Sequence, residues 1–335
     1  MLTQKNKFIK LNKKAFYVFL SFIVIFLILC FSVSPKYYMQ QTLMGLEVFV
    51  KNVFPSLFPF FIFSKILTGL NCVEDFAYYL KKITSKLFNT PGISAYAFLM
   101  SIISGYPVGA KVASELYTNQ QLTSEEVHRV ITFTSTSGPL FIIGTVGVGM
   151  LGSFKCGIVI LICHILASIL NGLLYRKYML KSKPISIQYR NNFTTPNINK
   201  VISESVYNSV VSIAIVGAYI VIFYMLISLF NNLKLFMPIC MLFEKLGFNY
   251  ELVNSCLNGM VEITRGCLDI SNLSLSLSLK TILCGAIISF GGLSVAFQGF
   301  SFLQSCNVKF GFYLKQKITH CLLSVILLIP FSLLI

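Results

Sequence analysis

Charge is what this chain has least of. Only 11% of its 335 residues are Asp, Glu, Lys or Arg, and just 11 of them are acidic. A soluble domain of this length needs far more charge to hydrate its surface, so a water-soluble fold is excluded. Histidine is scarcer still: His128, His164 and His320 are the whole set, none of them at an i,i+4 spacing, and they form no constellation in the sequence. The ten cysteines contain no C-x-x-C pair and lie mostly in apolar segments, where a thiol acts as a small hydrophobe. A metal site therefore has no support. No nucleophile–base set is visible either, so no catalytic residue and no cofactor is assigned, and an enzyme is not expected.

Apolar length is what the chain has most of. Apolar residues make up 56% of it, and the mean hydropathy is +0.78. Runs of about 20 residues, enough to cross a bilayer, recur along the chain. Lys5, Lys7, Lys10, Lys13 and Lys14 precede the first, Ala15 to Ser34. It is too long for the core of a signal peptide and no A-x-A-like site follows, so an uncleaved first transmembrane helix is expected. Further apolar segments lie at 44–70, 92–117, 125–150, 154–176, 205–232, 235–272, 277–303 and 309–335.

Two of these are not plain spans. Segment 92–117 is interrupted at Gly105, Pro107 and Gly109, and segment 235–272 holds Glu244, Lys245 and Glu251, then Asn258, Glu262, Arg265 and Asp269. Each is expected to form a re-entrant helical hairpin, because irregular backbone at membrane depth survives only where protein or a water-filled cavity covers it. The net charge of +16 would suggest nucleic acid for a soluble protein. Here the basic residues sit between apolar runs, the topology signal of membrane proteins, so no nucleic-acid partner is expected. With a cytoplasmic N-terminus, most of the 27 basic residues fall inside, Lys309, Lys315 and Lys317 among them, and the chain crosses seven times. The resulting layout is 1–43, basic N-terminus and first helix; 44–176, first half; 177–200, a basic cytoplasmic linker; and 201–335, second half.

The halves can be overlaid at an offset of 154. Gly105 then pairs with Gly259, Lys111 with Arg265, Glu115 with Asp269 and Gly138 with Gly292. Both halves thus carry G-x5-[KR]-x3-[DE] followed by a glycine in a second broken segment. With three crossings and one hairpin per half, the second copy enters from the opposite side. The fold class expected is therefore all-α polytopic, an inverted repeat of the kind many secondary transporters share.

Charges at mid-membrane need a partner or a task. Lys111 with Glu115, and Arg265 with Asp269 and Glu262, have the spacing of self-neutralising helix pairs. The functional alternative has Lys111 and Arg265 meeting across a pseudo-two-fold to bind an anion, beside half-helix N-termini exposed after Gly105 and Gly259. Glu115, Glu262 and Asp269 would then orient them or carry a coupling H⁺ or Na⁺. The hydroxyl-rich run Thr132 to Pro139, with Ser135, Thr136, Ser137 and Gly138, and its counterpart Ser289, Gly291, Gly292 and Gln298, are the candidate unwound turns facing the substrate. Ser104, Tyr106, Pro107 and Asn258 complete the candidate site.

SGYPVGAK (104–111) followed by TSTSGPLFIIGTVG (134–147) resembles the YlbJ-type sporulation integral membrane proteins, a stage V sporulation family. That family belongs to the gate or nucleoside-recognition group, related to concentrative nucleoside transporters. The family motif carries over onto Ser104, Gly105, Tyr106, Pro107, Gly109, Lys111, Ser137, Gly138 and Pro139. The resemblance implies a membrane transporter that passes dipicolinate, a flat aromatic dicarboxylate, from the mother cell across the outer forespore membrane. A nucleoside-type carrier and a non-transporting sporulation assembly factor are the alternatives. Partners expected beyond the substrate are the coupling ion and membrane lipids, with homo-oligomerisation left open.

Overall fold

The computed structural model describes residues 2–70, 72–180 and 197–332, and every regular element among them is helical. An all-α membrane protein is therefore what the chain forms. Most of the expected linker, 181–196, lies outside the described residues.

In the first half, α1 (Leu2–Val33) meets α2 (Pro35–Val48) at 104°. Pro35 stands in the first turn of α2, where its missing N–H has no partner to lose. A π-helical turn, Phe49–Val53, leads into α3 (Phe54–Gly69), which carries Pro59 inside it. Then come α4 (Cys72–Phe88), α5 (Ser94–Ser104), α6 (Val108–Thr118), α7 (Ser124–Phe133), a π-helical segment Phe141–Met150, and α8 (Phe154–Tyr175). The second half runs α9 (Ile198–Asn232), α10 (Met237–Lys245), α11 (Tyr250–Val261), α12 (Ile263–Ser271), α13 (Leu277–Phe290), α14 (Gly292–Leu303) and α15 (Phe310–Phe331). Side-chain caps set several starts: Thr123 and Glu126 form a capping box on α7, and Ser153, Asn197, Asn249 and Ser276 each accept an N–H in the first turn they open.

By length and composition, four described stretches can cross a bilayer: Phe154–Tyr175, Ile198–Asn232, Leu277–Cys306 and Phe310–Phe331. The bent α1–α2 pair makes five if counted as one span. Segment 44–70, which the hydropathy pattern reads as a plain crossing, is subdivided, and segment 125–150 is broken at the hydroxyl-rich run expected to unwind. The first contains the π-helical turn and Pro59, and the second is split by an unwound turn at 134–139.

Both interrupted segments fold back on themselves. In the first, α5 packs on α6 and the chain turns at Gly105, whose φ of +73° and ψ of −166° lie in a region open to glycine alone. In the second, α11 packs on α12 and the turn is made by Glu262 in extended conformation. Its carboxylate Oε2 caps α12 by accepting the Arg265 N–H at 2.7 Å. Packing between the halves is reciprocal. Helix α6 lies on α14 while α12 lies on the π-helical segment Phe141–Met150; α13 touches α8 while α15 touches α7; and α8 and α15 run along each other. Such an exchange of contacts is what a two-fold relation produces.

The breaks do not all keep the offset of the sequence overlay. An offset of 154 does relate the unwound turns, Gly138 to Gly292. The hairpin breaks fall at Gly105 and Glu262, however, an offset of 157. The tight positions agree: a Cβ on Gly109 would sit 1.8 Å from the Thr134 carbonyl oxygen, and one on Gly266 would sit 2.1 Å from Gly259 Cα. These too are 157 apart. Gly259 is thus a helix–helix contact rather than a break, and Arg265 is not the counterpart of Lys111. The overlay missed this because the first half has three more residues between its hairpin break and its unwound turn, and the second break is made by a glutamate instead of a glycine.

Lipid offers no hydrophobic drive between helices, so close packing must hold them together. Gly109→Ala and Gly266→Ala, which place a methyl against backbone, are expected to lower the melting temperature in detergent by several degrees, about 1–3 kcal/mol. Gly144→Ala, whose Cβ would meet only Leu140 at 3.6 Å, is expected to melt like the parent protein.

Candidate functional site at the helix breaks

The two hairpin tips and the two unwound turns converge. Gly105 of the first tip lies on the first turn: a Cβ there would be 2.4 Å from Gly138 N. In the second half, Gly292 lies against the Gly259 and Val261 carbonyls of the second hairpin, 3.2 Å from a built Cβ. Tyr106 then ties the halves together, its hydroxyl donating to the Ile288 carbonyl at 3.2 Å.

Between these breaks lies a cavity of about 50 Å³. Its polar lining comes from Tyr106 and Ser137 of the first half and from Glu262, Thr264, Ser294 and Gln298 of the second; Gly105 and Gly138 form part of its wall. Glu262, Thr264, Ser294 and Gln298 are all at least nine-tenths buried. Gln298 donates to Ser294 Oγ at 3.2 Å, which orients its amide oxygen. A smaller cavity on the other side of Tyr106 is lined by Pro107, Thr134, Ser135 and Tyr313. Ser104, Thr134 and Thr136 each bury a hydroxyl oxygen that has no protein hydrogen-bond partner. Buried polar atoms of that kind mark a place for water, ion or ligand contact.

The remaining sequence candidates separate from this cavity. Lys111 is half-buried on α6 and Glu115 is exposed. They make no ion pair within 4 Å; among the described residues the ion pairs are Glu47–Lys51, Lys200–Glu204 and Arg265–Asp269. Lys65 of α3 stands within electrostatic reach of both Lys111 and Glu115. Arg265 is engaged locally. Its Nε lies 2.9 Å from Asp269 Oδ1, and its guanidinium sits over the Tyr224 ring at 4.8 Å. Asn258 donates to Asp269 Oδ2 at 2.8 Å and accepts from Asn231 at 3.2 Å. The second-half charges thus form a closed polar cluster against α9, the self-neutralised arrangement that their spacing allows. Neither Lys111 nor Arg265 lines the cavity.

Three residues that sequence reasoning left aside occupy the centre. His164 of α8 joins both unwound turns: it accepts the Ser137 N–H at Nε2 (2.9 Å), and its Nδ1 lies 2.8 Å from Ser289 Oγ. Because a backbone N–H can only donate, Nε2 carries no proton, and the neutral imidazole donates from Nδ1. His320 of α15 donates to the His164 carbonyl at 3.1 Å, and the two rings lie 4.7 Å apart. Lys317 is fully buried, its Nζ donating to Ser135 Oγ at 3.1 Å and lying 4.4 Å from the Tyr106 ring centre. The topology count places Lys317 with the loop lysines; the structure places it inside the bundle on α15. Asn171 adds to the same seam, donating to the Thr132 and Gln316 carbonyls and accepting from Thr319. The overlay held one usable signal, since His164 and His320 are 156 apart, between the two offsets the structure uses.

His164 holds both turns, so its loss should couple to theirs. His164→Ala and Ser289→Ala are each expected to cost about 1–3 kcal/mol, and the double variant less than their sum. Thermal melts of the four proteins in one detergent give the cycle; additive losses would mean that the two side chains act separately.

A family model described as Gate, nucleoside recognition, matches residues 50–154. That stretch spans the first hairpin, the first unwound turn and the π-helical segment. The chain is 29% identical over 302 residues to the sporulation integral membrane protein YlbJ of Bacillus subtilis, an alignment covering 82% of this chain and 73% of the relative. No solved structure matches it. The chain is a multi-pass membrane protein with one segment that matches the Gate family model, and it is similar over most of its length to a sporulation integral membrane protein.

Proposed function

We propose that this protein is a secondary transporter acting in sporulation, an inverted repeat that moves dipicolinate from the mother cell across the outer forespore membrane. The single observation that carries a transport function is the convergence of four helix breaks on one buried, partly polar cavity. Discontinuous helices meeting at a duplicated centre are how many secondary transporters build a substrate site. The sporulation setting and the aromatic dicarboxylate come from the likeness to the YlbJ-type proteins. At about 50 Å³ the cavity holds a few waters rather than an aromatic ring. Transport therefore requires a hairpin tip to withdraw from its turn and enlarge the space.

One observation favours a second substrate class. The lining offers a carboxylate, an amide and hydroxyls from Glu262, Gln298, Ser294 and Thr264, and no lysine or arginine. That donor–acceptor set suits a neutral, hydrogen-bonding solute such as a nucleoside, in keeping with the name of the matching segment.

Uptake by purified protein in vesicles decides between them, with labelled dipicolinate and labelled uridine offered separately. Dipicolinate uptake by the parent protein is expected. Gln298→Ala is expected to reduce it on the order of tenfold, the loss of a buried hydrogen-bonding group. Lys111→Gln is expected to transport like the parent, because Lys111 lies outside the lining; loss of uptake there would restore the lysine to the substrate site. Uridine uptake without dipicolinate uptake would replace the substrate. Uptake of neither by well-folded protein would leave an assembly role.

A further inference from the structure

Lys317 is the exception among the buried charges. Arg129, 3% exposed, donates to three carbonyls, those of Asn89, Tyr178 and Met179. Glu262 caps α12, and Arg265 has Asp269. Lys317 is 0% exposed and, among the described residues, makes no ion pair. Its surroundings are a hydroxyl and two ring faces: Ser135 Oγ at 3.1 Å, the Tyr106 ring at 4.4 Å and the Tyr313 ring at 5.3 Å. It also lies against the second unwound turn, its Nζ 2.7 Å from where a Cβ on Gly291 would be. One ammonium therefore touches the first hairpin tip and both unwound turns. A cation bound there holds the convergence together by cation–π and hydrogen-bonding attraction.

We propose that Lys317 is the coupling site of the transporter: a tethered cation whose gain and loss of one proton takes the place of binding and release of a free ion. The proposal rests on the transport reading above and names its driving ion. When protonated, the ammonium holds Tyr106, and with it the first hairpin tip, against the turns. When the ammonium yields one proton to water, the neutral amine keeps its hydrogen bond to Ser135 but loses its attraction to both rings. Tyr106 is then held across the halves only by its bond to the Ile288 carbonyl, and the tip is freed to move.

The groups facing Lys317 favour this assignment. From α8 comes His164, both of whose nitrogens are committed to Ser137 and Ser289. From α15 itself come Tyr313, His320 and, near Tyr106, Cys321; from the hairpin tip comes Tyr106. None is a carboxylate that would keep the ammonium permanently charged. A Na⁺ bound beside Ser135 would meet the ammonium in a poorly screened interior, so a second cation is disfavoured there.

Two measurements test it. The chain lacks tryptophan, so Tyr106→Trp places one indole beneath the ammonium as a reporter of its charge. Its emission is expected to change with pH in a single step. The step is expected to vanish in Tyr106→Trp/Lys317→Met; a step unchanged by the second substitution would overturn the proposal. In vesicles, an imposed pH gradient is expected to drive accumulation by the parent protein. Lys317→Met, checked for folding by its thermal melt beside the parent, is expected to lose that accumulation. Gradient-driven accumulation by Lys317→Met, or accumulation by the parent that follows Na⁺ alone, would overturn it. If the parent moves no substrate at all, the transport reading fails and the emission step alone decides whether Lys317 titrates. If Tyr106→Trp does not fold, the vesicle experiment decides.

Discussion

Backbone amides and carbonyls left bare in hydrocarbon cost several kcal/mol each, and this chain opens its helices at four places. That constraint organises the rest of the structure. A plain helix satisfies its own backbone; a broken one must borrow partners. Here each break is covered by its companion: Thr134 to Gly138 pack against the first hairpin, and Gly292 against the second. Glycine recurs at the tips because backbone must reach backbone at distances where a methyl will not fit. The side chains of His164 and Tyr106, both from the first half, then bond across to Ser289 and to the Ile288 carbonyl of the second, while His164 also accepts the Ser137 N–H of its own half.

The same economy governs the charges. Arg265 and Asp269 neutralise each other against Tyr224, Arg129 is held by carbonyls at the chain's loop ends, and Glu262 serves as a helix cap. Each is a structural answer to the expense of burying charge. Lys317 has only a hydroxyl and aromatic faces, which stabilise a cation less than a carboxylate does. A charge placed where the first hairpin tip meets both unwound turns, with no counter-ion among the described residues, is suited to a task rather than to stability.

Much of the architecture was legible in the amino-acid order. Scarce charge and long apolar runs established a membrane protein. Gly105-Tyr106-Pro107 and the 134–139 stretch marked two breaks correctly, because glycine, proline and clustered hydroxyls act on the local backbone. The second hairpin's charges drew attention to its segment but misplaced its break. Glu262 turns the chain in ordinary extended conformation, which leaves no glycine to see. The central trio was invisible for a different reason. Lys317 follows Lys309 and Lys315 near the start of an apolar run, where lysines commonly reach back to the interface. Its burial comes from the packing of α15 on α8, which no local pattern encodes. His164 and His320 read as lone residues because their partnership spans 156 positions.

The reciprocal packing of the halves has a mechanical corollary. Helix α6 of the first hairpin rests on α14, and helix α12 of the second rests on the π-helical segment Phe141–Met150. Neither hairpin is a free flap hinged on its own half. Displacing one pushes on the broken element against which the other hairpin's tip is seated. The two hairpins are therefore mechanically linked, like meshed gears, each bearing on the broken element that seats the other.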